Sequence, residues 1–594
     1  MLIIARIELE DGSADWFDVG DGVFEHLLGG RGLGVGILST AKKIYNPLHP
    51  SSPLILSVGA LTGTSFPMAN RLTTVFRSPL TGTVAWTQTG GYVGPELAGH
   101  GLDAVVITGK AEKLSYILFE DRQIRVVEAE WLRGLGAVET CSKLRGMYGD
   151  ARILSIGPAG ERGVRISTVV NDMGRSSGVR HGLGAVFGVK NLKAIVVKKC
   201  RETTRKIRDP SGFTGLLRRL HNLLRGSRLL NHENGLLALH GTAIAAEAFG
   251  EEDAIPVKNY RETVLRDFYR VGGRSLTASV LVNRLTCSRC PVSCRRDSAG
   301  LGLRGEGPDY AQISSLGTNC LILDLEKIVY LTQLCYEYGL DPIEMGNTLA
   351  VYAELSERGY VEKRLRWGDF EMMCSLIRQT AYGEDVGAVL GQGAYQTAKA
   401  FGEPDAAPSV KNISIQNTDP RAEPAWGLIN AVESFGGATH VWVYPRLLRS
   451  FVRLGVDTIY GENPTSERAA EQVYREQIFV AALDSLGVCA FSSLSFGVGE
   501  YVEGLNALTG NKYSEDILYQ AGLNTLSCER QLNQRYGFTE ADDTLPKRFL
   551  EEPIMDGRHA GSVCPLTELL RYYRRRRRDV SVDRFVALIS SLAL

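Results

Sequence analysis

Near residue 205 the texture of the chain changes, and that change does most to restrict the architectures open to it. Before it, LIIARIEL, LILSVGALTG, DAVVITGK, SYILFED, ILSIGPAG and AIVVKK are short β-branched runs bounded by Gly, Pro and Asp, the pattern of strands and tight turns. Helical patterns between them are few and short, which predicts a β-rich, β-sandwich-like domain in place of a doubly wound sheet. The polar stretch KKCRETTRKIRDPSG then gives way to GLLRRLHNLLRG, where apolar residues recur at three- and four-residue spacing. Beyond it long helical patterns dominate, such as DLEKIVYLTQLCYEYG and SERAAEQVYREQIFVAALDSLG, and several stop at Gly, the common residue of a helix end. A softer boundary lies at 402–410, where Pro and small residues cluster. The expected class is α+β: an N-terminal β-rich domain over 1–208, followed by two mainly α-helical domains over 209–412 and 413–594.

Charge and length exclude several functions. Lys plus Arg and Asp plus Glu both total 67, so the net charge is zero and no global footprint for nucleic acid exists. The run Arg574–Arg578 follows LTELLRYY and reads first as the solvated face of a surface helix, with contact to an anionic partner as the alternative. The start MLIIARIELEDGSADWF lacks the charged, apolar and small-residue order of an export signal, and no run of about 18 apolar residues occurs, so the expected location is cytoplasmic. Gly is abundant, 65 residues in 594 against a usual ~7%, which calls for many tight turns or close approaches of backbone to a ligand.

Eleven cysteines in such a chain suggest buried thiols, metal ligands or redox groups. LTCSRCPVSCRRD places Cys287, Cys290 and Cys294 as C-x2-C-x3-C. Three thiolates within eight residues fold around one centre and leave a corner for a distant ligand, which suits a [4Fe–4S] cluster. Structural zinc, which usually takes its ligands two and two, and unligated buried Cys are the alternatives. Cys489, in DSLGVCAF, follows the Gly that ends a predicted helix and so lies in a turn; Cys335, Cys374 and Cys528 sit inside helical patterns as small hydrophobes. YEYGLD (336–341) and DSLGVC (484–489) share one form: helix end, Gly, apolar residue, then a carboxylate or thiol. Such turns either present Asp341 and Asp484 side-on to a flat heterocycle with adjacent N–H donors or are helix ends with incidental acids.

Taken together with GGRGLG (29–34), GALTGTSFP (59–67), RSPLTG (77–82), GGYVGPEL (90–97), SIGPAGE (155–161), GLGAVFGVKNLKAI (182–195), NTDPRA (417–422), GGATH (436–440) and DTLPKRFLEEP (543–553), these residues resemble the tungsten-containing aldehyde:ferredoxin oxidoreductase family over the whole chain. The resemblance implies tungsten or molybdenum held by two pterins, between a β domain and two helical domains, with a [4Fe–4S] cluster nearby and a magnesium ion between the pterin phosphates. It implies Cys287, Cys290, Cys294 and Cys489 as cluster ligands, Asp341 and Asp484 as pterin-binding acids, and Arg71, Gln88, Gly90, Gly91 and Arg180 around the pterins and their phosphates. His440 matches a His close to the metal, and its imidazole titrates where proton transfer near neutral pH needs it. Asp309 stands with it as a proton-handling acid.

Four departures bear on the substrate. GPDYAQ has Ala311 where relatives carry an acid near the metal, Tyr336 opens the first turn in place of Asp or Asn, Gln88 replaces an Asn, and Val179 and His181 flank Arg180 in an unusual way. The implied activity is oxidation of an aldehyde to a carboxylic acid, with electrons passed through the cluster to ferredoxin or a similar low-potential carrier. The rival readings are low-potential reduction of another substrate, such as an aromatic acyl thioester, and a non-catalytic electron-transfer subunit. A homodimer is one expected assembly, without a metal bridge, since no His falls between His240 and His440. Neither a nucleic-acid nor a membrane partner is expected.

Overall fold

The computed structural model describes residues 2–171, 175–176, 180–200, 205–437 and 465–589. Among the described residues, twelve strands lie in the first 200: β1 Leu2–Glu8, β2 Ala14–Val19, β3 Leu54–Val58, β4 Leu72–Arg77, β5 Val84–Thr89, β6 Ala104–Thr108, β7 Ser115–Glu120, β8 Gln123–Glu128, β9 Arg152–Ser155, β10 Val170–Asn171, β11 Arg175–Ser176 and β12 Leu192–Val197. They form two six-stranded sheets, β2-β1-β6-β3-β4-β5 and β11-β10-β9-β12-β7-β8. Each is antiparallel except for one pair, β1 with β6 (Ile4 opposite Ala104) and β12 with β7 (Ile195 opposite Ile117).

The layering explains why β3, β5, β6 and β12 are buried along their whole length instead of alternating. Leu54, Leu56, Phe76 and Ile107 face inward and pack on Ile117, Phe119, Leu154 and Ile195 of the second sheet. Ile55, Val75 and Val106 point the other way, onto Leu33, Val35 and Ile37 of the helix Gly30–Ser39. Tyr116, Leu118 and Ile153 of the second sheet likewise pack on Cys141 and Leu144 of the helix Ala137–Tyr148. The expected sandwich is therefore present, with a helix on each outer face. Burying each of these Ile, Leu and Phe side chains contributes about 1.5–3 kcal/mol.

Beyond residue 205 helices dominate, among them Leu325–Tyr338, Pro342–Glu357, Glu467–Leu486 and Asp516–Arg535. The cysteine triplet is not on helical structure; it is the loop between β13 (Leu281–Leu285) and β14 (Arg295–Gly300) of a three-stranded antiparallel sheet completed by β15 (Leu303–Glu306). The C-terminal charge run starts in the last turn of the helix Leu566–Arg576 and continues past its end; Arg574, Arg576 and Arg577 pair with Glu540, Glu467, Glu471 and Asp579, so the run is a solvated ion-paired face. Among the described residues no helix is long and apolar enough to cross a membrane.

The two sheets seat two helix ends in the same way. Gly487 and Gly339, at φ +74° and +72°, close the helices Glu467–Leu486 and Leu325–Tyr338 in the left-handed conformation. Gly59 lies on the first end and Gly157 on the second, so close that a Cβ on either would sit within 3.0 Å of backbone atoms of Leu486–Gly487 or Tyr338–Gly339. Main-chain bonds repeat the match: Cys489 N to Met68 O at 3.0 Å and Asp341 N to Ile166 O at 2.9 Å, Arg71 N to Gly487 O at 3.0 Å and Thr168 N to Gly339 O at 2.8 Å. Each sheet thus holds one turn of the DSLGVC or YEYGLD type against its loops.

Candidate active site

The turns fix two carboxylates at related positions. Asp484 lies in the last turn of its helix; Asp341 follows its helix end and caps the next helix by accepting from Ile343 N at 2.9 Å. Both are buried, and both are bound by a guanidinium. Arg180 donates to Asp341 Oδ2 at 3.3 Å, Glu344 Oε2 at 2.6 Å and Ser414 Oγ at 2.7 Å. Arg31 donates to Asp484 Oδ2 at 3.2 Å and grips Glu529 with Nε at 2.7 Å and Nη2 at 2.9 Å. It also lies 3.5 Å from Glu433 Oε1 and is stacked 3.8 Å from the Trp86 ring centroid. Burial pushes Asp341 up to about 6 against the opposing pull of Arg180, and pushes Asp484 up to about 7 against Arg31 and Arg71. Both acids therefore hold protons at higher pH than an exposed Asp.

The four expected cysteines come together. Burial pushes the Cys290 thiol well above its ordinary value, and Cys287, Cys294 and Cys489 reinforce the shift by their charge, which places all four within electrostatic reach. Cys489, buried at the end of the Asp484 turn, accepts a bond from Arg71 Nη2 at 2.7 Å, and Cys287 lies 3.7 Å from Arg295 Nη1. Among the described residues no three His, Cys, Asp or Glu side chains are placed as ligands of a single metal ion.

The cysteine loop is pinned to the first sheet. Asn70 Nδ2 donates to Ser288 O at 2.9 Å, Ser288 N to Gly91 O at 3.0 Å and Met68 N to Arg289 O at 3.1 Å. Gly90 and Gly91 continue from β5 into this junction. A Cβ at Gly90 would strike the Arg71 guanidinium and lie 3.1 Å from Cys287 Sγ, and Gly91 has φ +110°, which favours Gly. Gln88, on β5, donates Nε2 to Thr73 Oγ1 at 2.7 Å, while its Oε1 and Asn70 Oδ1 are buried without a hydrogen-bond partner.

Other expected residues fare differently. Asp309 caps the short helix Tyr310–Gln312 and accepts from Thr242 Oγ1 at 3.3 Å, so it already has a local structural task. His440 and Val179 lie outside the described residues. His181 is buried, 4.4 Å between ring centroids from Phe435, at φ +78°. Tyr336 is buried too, and its hydroxyl accepts from Gln312 Nε2 at 3.3 Å. Sequence reasoning missed Arg31, Trp86, Glu433 and Glu529. Arg31 stands in GGRGLG, but its partners are up to 498 positions away, and only the burial of a guanidinium among apolar neighbours could have signalled them.

The donor sets suit the groups that the resemblance implies: four thiols within electrostatic reach of one another, and two turns with buried carboxylates, each held by a guanidinium. Buried acceptors without partners at Gln88 and Asn70 and a cradle at Gly90 that a Cβ would fill add to the fit.

Comparison with known proteins agrees with this geometry. Residues 4–199 match the family model described as aldehyde ferredoxin oxidoreductase, N-terminal domain, and residues 221–579 match that for its domains 2 and 3. The chain is 35% identical over 585 residues to a tungsten-containing aldehyde ferredoxin oxidoreductase of Pyrococcus furiosus, covering 96% of this chain and 95% of that one. The namesake from Thermococcus kodakarensis is 34% identical with the same coverage. The WOR-like subunit of an aliphatic sulfonate oxidoreductase of Pyrococcus furiosus is 26% identical over 91% of this chain and 88% of its own. Among solved structures, the active-site complex BamBC of benzoyl coenzyme A reductase has the same fold, with a TM-score of 0.81 at 21% identity over 96% of this chain and 93% of that one. The chain belongs to the aldehyde ferredoxin oxidoreductase family and is an oxidoreductase.

Proposed function

We propose that the protein oxidises an aldehyde with water to the carboxylic acid, releasing two protons and two electrons, at tungsten or molybdenum held by two pterins. The electrons leave singly through a [4Fe–4S] cluster to ferredoxin or a similar low-potential carrier. The observation that carries this reading is the 484–489 turn, which puts an acid suited to a pterin and a thiol of the four-cysteine set on one short segment, with Arg71 bonded to that thiol and acting on that acid. A single segment can then hold both redox groups at fixed separation.

When bound, the metal supplies a Lewis acid and a two-electron acceptor. The chain's residues do the rest. Asp484 and Asp341 accept hydrogen bonds from ring N–H groups, and Arg31 and Arg180 keep their oxygens in place. Gly90 and Gly91 would let main-chain N–H groups approach the pterin phosphates, and the unpartnered Gln88 Oε1 would be free to accept from the cofactor or to help hold a magnesium ion. Arg71 offsets negative charge between the thiols and the pterin. Cys287, Cys290, Cys294 and Cys489 hold the cluster. His440 takes a proton from the attacking water, and Asp309, if released from Thr242, provides a second proton site.

The test is anaerobic purification, quantification of Fe, W and Mo per chain, and reduction of a viologen dye with a broad aldehyde panel. Four Fe with W or Mo and dye reduction by at least one aldehyde is the expected result. A metal-loaded protein that oxidises no aldehyde refutes the substrate assignment. Ala311, which has no proton to exchange where relatives have an acid, favours one second reading: reduction of a substrate such as an aromatic acyl thioester. Dye-linked reduction without aldehyde oxidation would select it.

A further inference from the structure

Arg295 and Arg296 open β14 directly after Cys294, and the alternation of a strand sends their guanidiniums to opposite faces. Arg295 is neutralised where it stands, because Glu306 takes both its Nε and Nη2. Arg296 is different. It is 1% exposed, and among the described residues no carboxylate lies within ion-pair distance of it. Its donors end on five main-chain carbonyls: Ser293 at 2.6 Å, Ala238 at 2.9 Å, Leu239 at 3.0 Å, Leu237 at 3.1 Å and Cys294 at 3.4 Å. Carbonyl dipoles solvate a guanidinium without cancelling its charge; burial brings Arg296 down to about 10, which still leaves it charged near neutral pH. A buried charge without a counter-charge is costly. Burial is the largest influence on it and weakens its hold on its proton; among charged groups Cys294 of the four-cysteine set comes first and favours the charge, ahead of Arg284, which opposes it, and Asp309.

We propose that Arg296, held behind Cys294, is a fixed counter-charge of the iron–sulfur cluster in addition to Arg71, which bonds Cys489, and raises its reduction potential. This rests on the reading of Cys287, Cys290, Cys294 and Cys489 as cluster ligands. Reduction adds one electron, hence one negative charge, beside a cation that nothing else neutralises. The field favours the reduced form, and the carbonyl cage keeps the cation from turning away. Arg296 is a positioning residue: it touches the backbone of a ligand and no reacting atom. Arg295 contributes little, because Glu306 cancels it at close range.

The experiment is an EPR-monitored redox titration of the anaerobically purified full-length protein and its Arg296→Gln and Arg296→Lys variants, with iron counted in each. Arg296→Gln should make cluster reduction about tenfold less favourable, a midpoint about 59 mV lower for one electron. A wild-type protein with no cluster signal overturns the ligand reading itself. A wild-type cluster together with an Arg296→Gln variant that keeps its iron and its midpoint overturns the present inference alone. If the Gln variant does not accumulate, Arg296→Lys decides. A lysine buried without a carboxylate loses its proton at alkaline pH. Its midpoint should lie nearer wild type at pH 6 and fall below it by pH 8.5, while wild type, whose guanidinium holds its proton until about pH 10, stays level, and parallel behaviour of the two overturns the inference.

Discussion

Replacing Arg31 by Met would remove a guanidinium that serves three buried carboxylates at once. The Met side chain fills much of the space over Trp86, so the loss is electrostatic more than steric. What disappears is the two-point grip on Glu529 at 2.7 and 2.9 Å, the bond to Asp484 at 3.2 Å and the approach to Glu433 at 3.5 Å. Breaking a buried pair by deleting one partner costs about 3–5 kcal/mol, and the orphaned acids relieve the strain only by taking up protons. That uptake makes the deficit depend on pH. Each carboxyl that must be protonated in the variant but not in wild type recovers about 2.7 kcal/mol between pH 7.5 and 5.5, two units at 1.36 kcal/mol each. Urea-unfolding midpoints of the cofactor-free proteins at the two pH values provide the assay. The variant should be well below wild type at pH 7.5 and should close much of the gap at pH 5.5. An equal gap at both would mean that packing over Trp86, and not charge, is what Arg31 supplies.

The cofactor-free wild type should itself lose stability as pH rises from about 4 to 7, because Asp341 and Asp484 bind protons more tightly folded than unfolded, and thermal melts at pH 5 and 8 would read this. An unchanged or rising melting temperature would contradict the burial of those acids. Gly59→Ala puts a Cβ into the backbone of Leu486–Gly487 and should cost about 1–3 kcal/mol or more, whereas Gly134→Ala, with nothing within 4 Å, should cost far less despite its φ of +77°. Equal melting temperatures would dismiss the close approach. Gly90→Ala should push Arg71 off Cys489 and lower the iron retained per chain, with the N-terminal sheets still folded by circular dichroism.

Much of the fold and part of the site were legible because their signals are local. β-branched runs between turn residues announced the sandwich, and apolar spacing announced the helices. A Gly after each helix end fixed the two left-handed turns at 339 and 487, since only a residue without a Cβ adopts that conformation freely. The cysteine triplet gave three members of a set whose spacing alone limits what it can hold. Long-range packing decided the rest. No spacing rule joins Cys489 to Cys287, which approach only because both loops dock on Met68, or Arg31 to Glu529, which meet only after the helix Asp516–Arg535 lies beside the N-terminal helix Gly30–Ser39. The triplet reads as part of a helical region but sits between two strands, where cross-strand pairing sends Arg295 to Glu306 and leaves Arg296 among carbonyls. Sequence determines which residues are available and which turns they form; burial in the tertiary structure decides which charges meet, because only removal from water makes an unpaired charge or an absent Cβ matter.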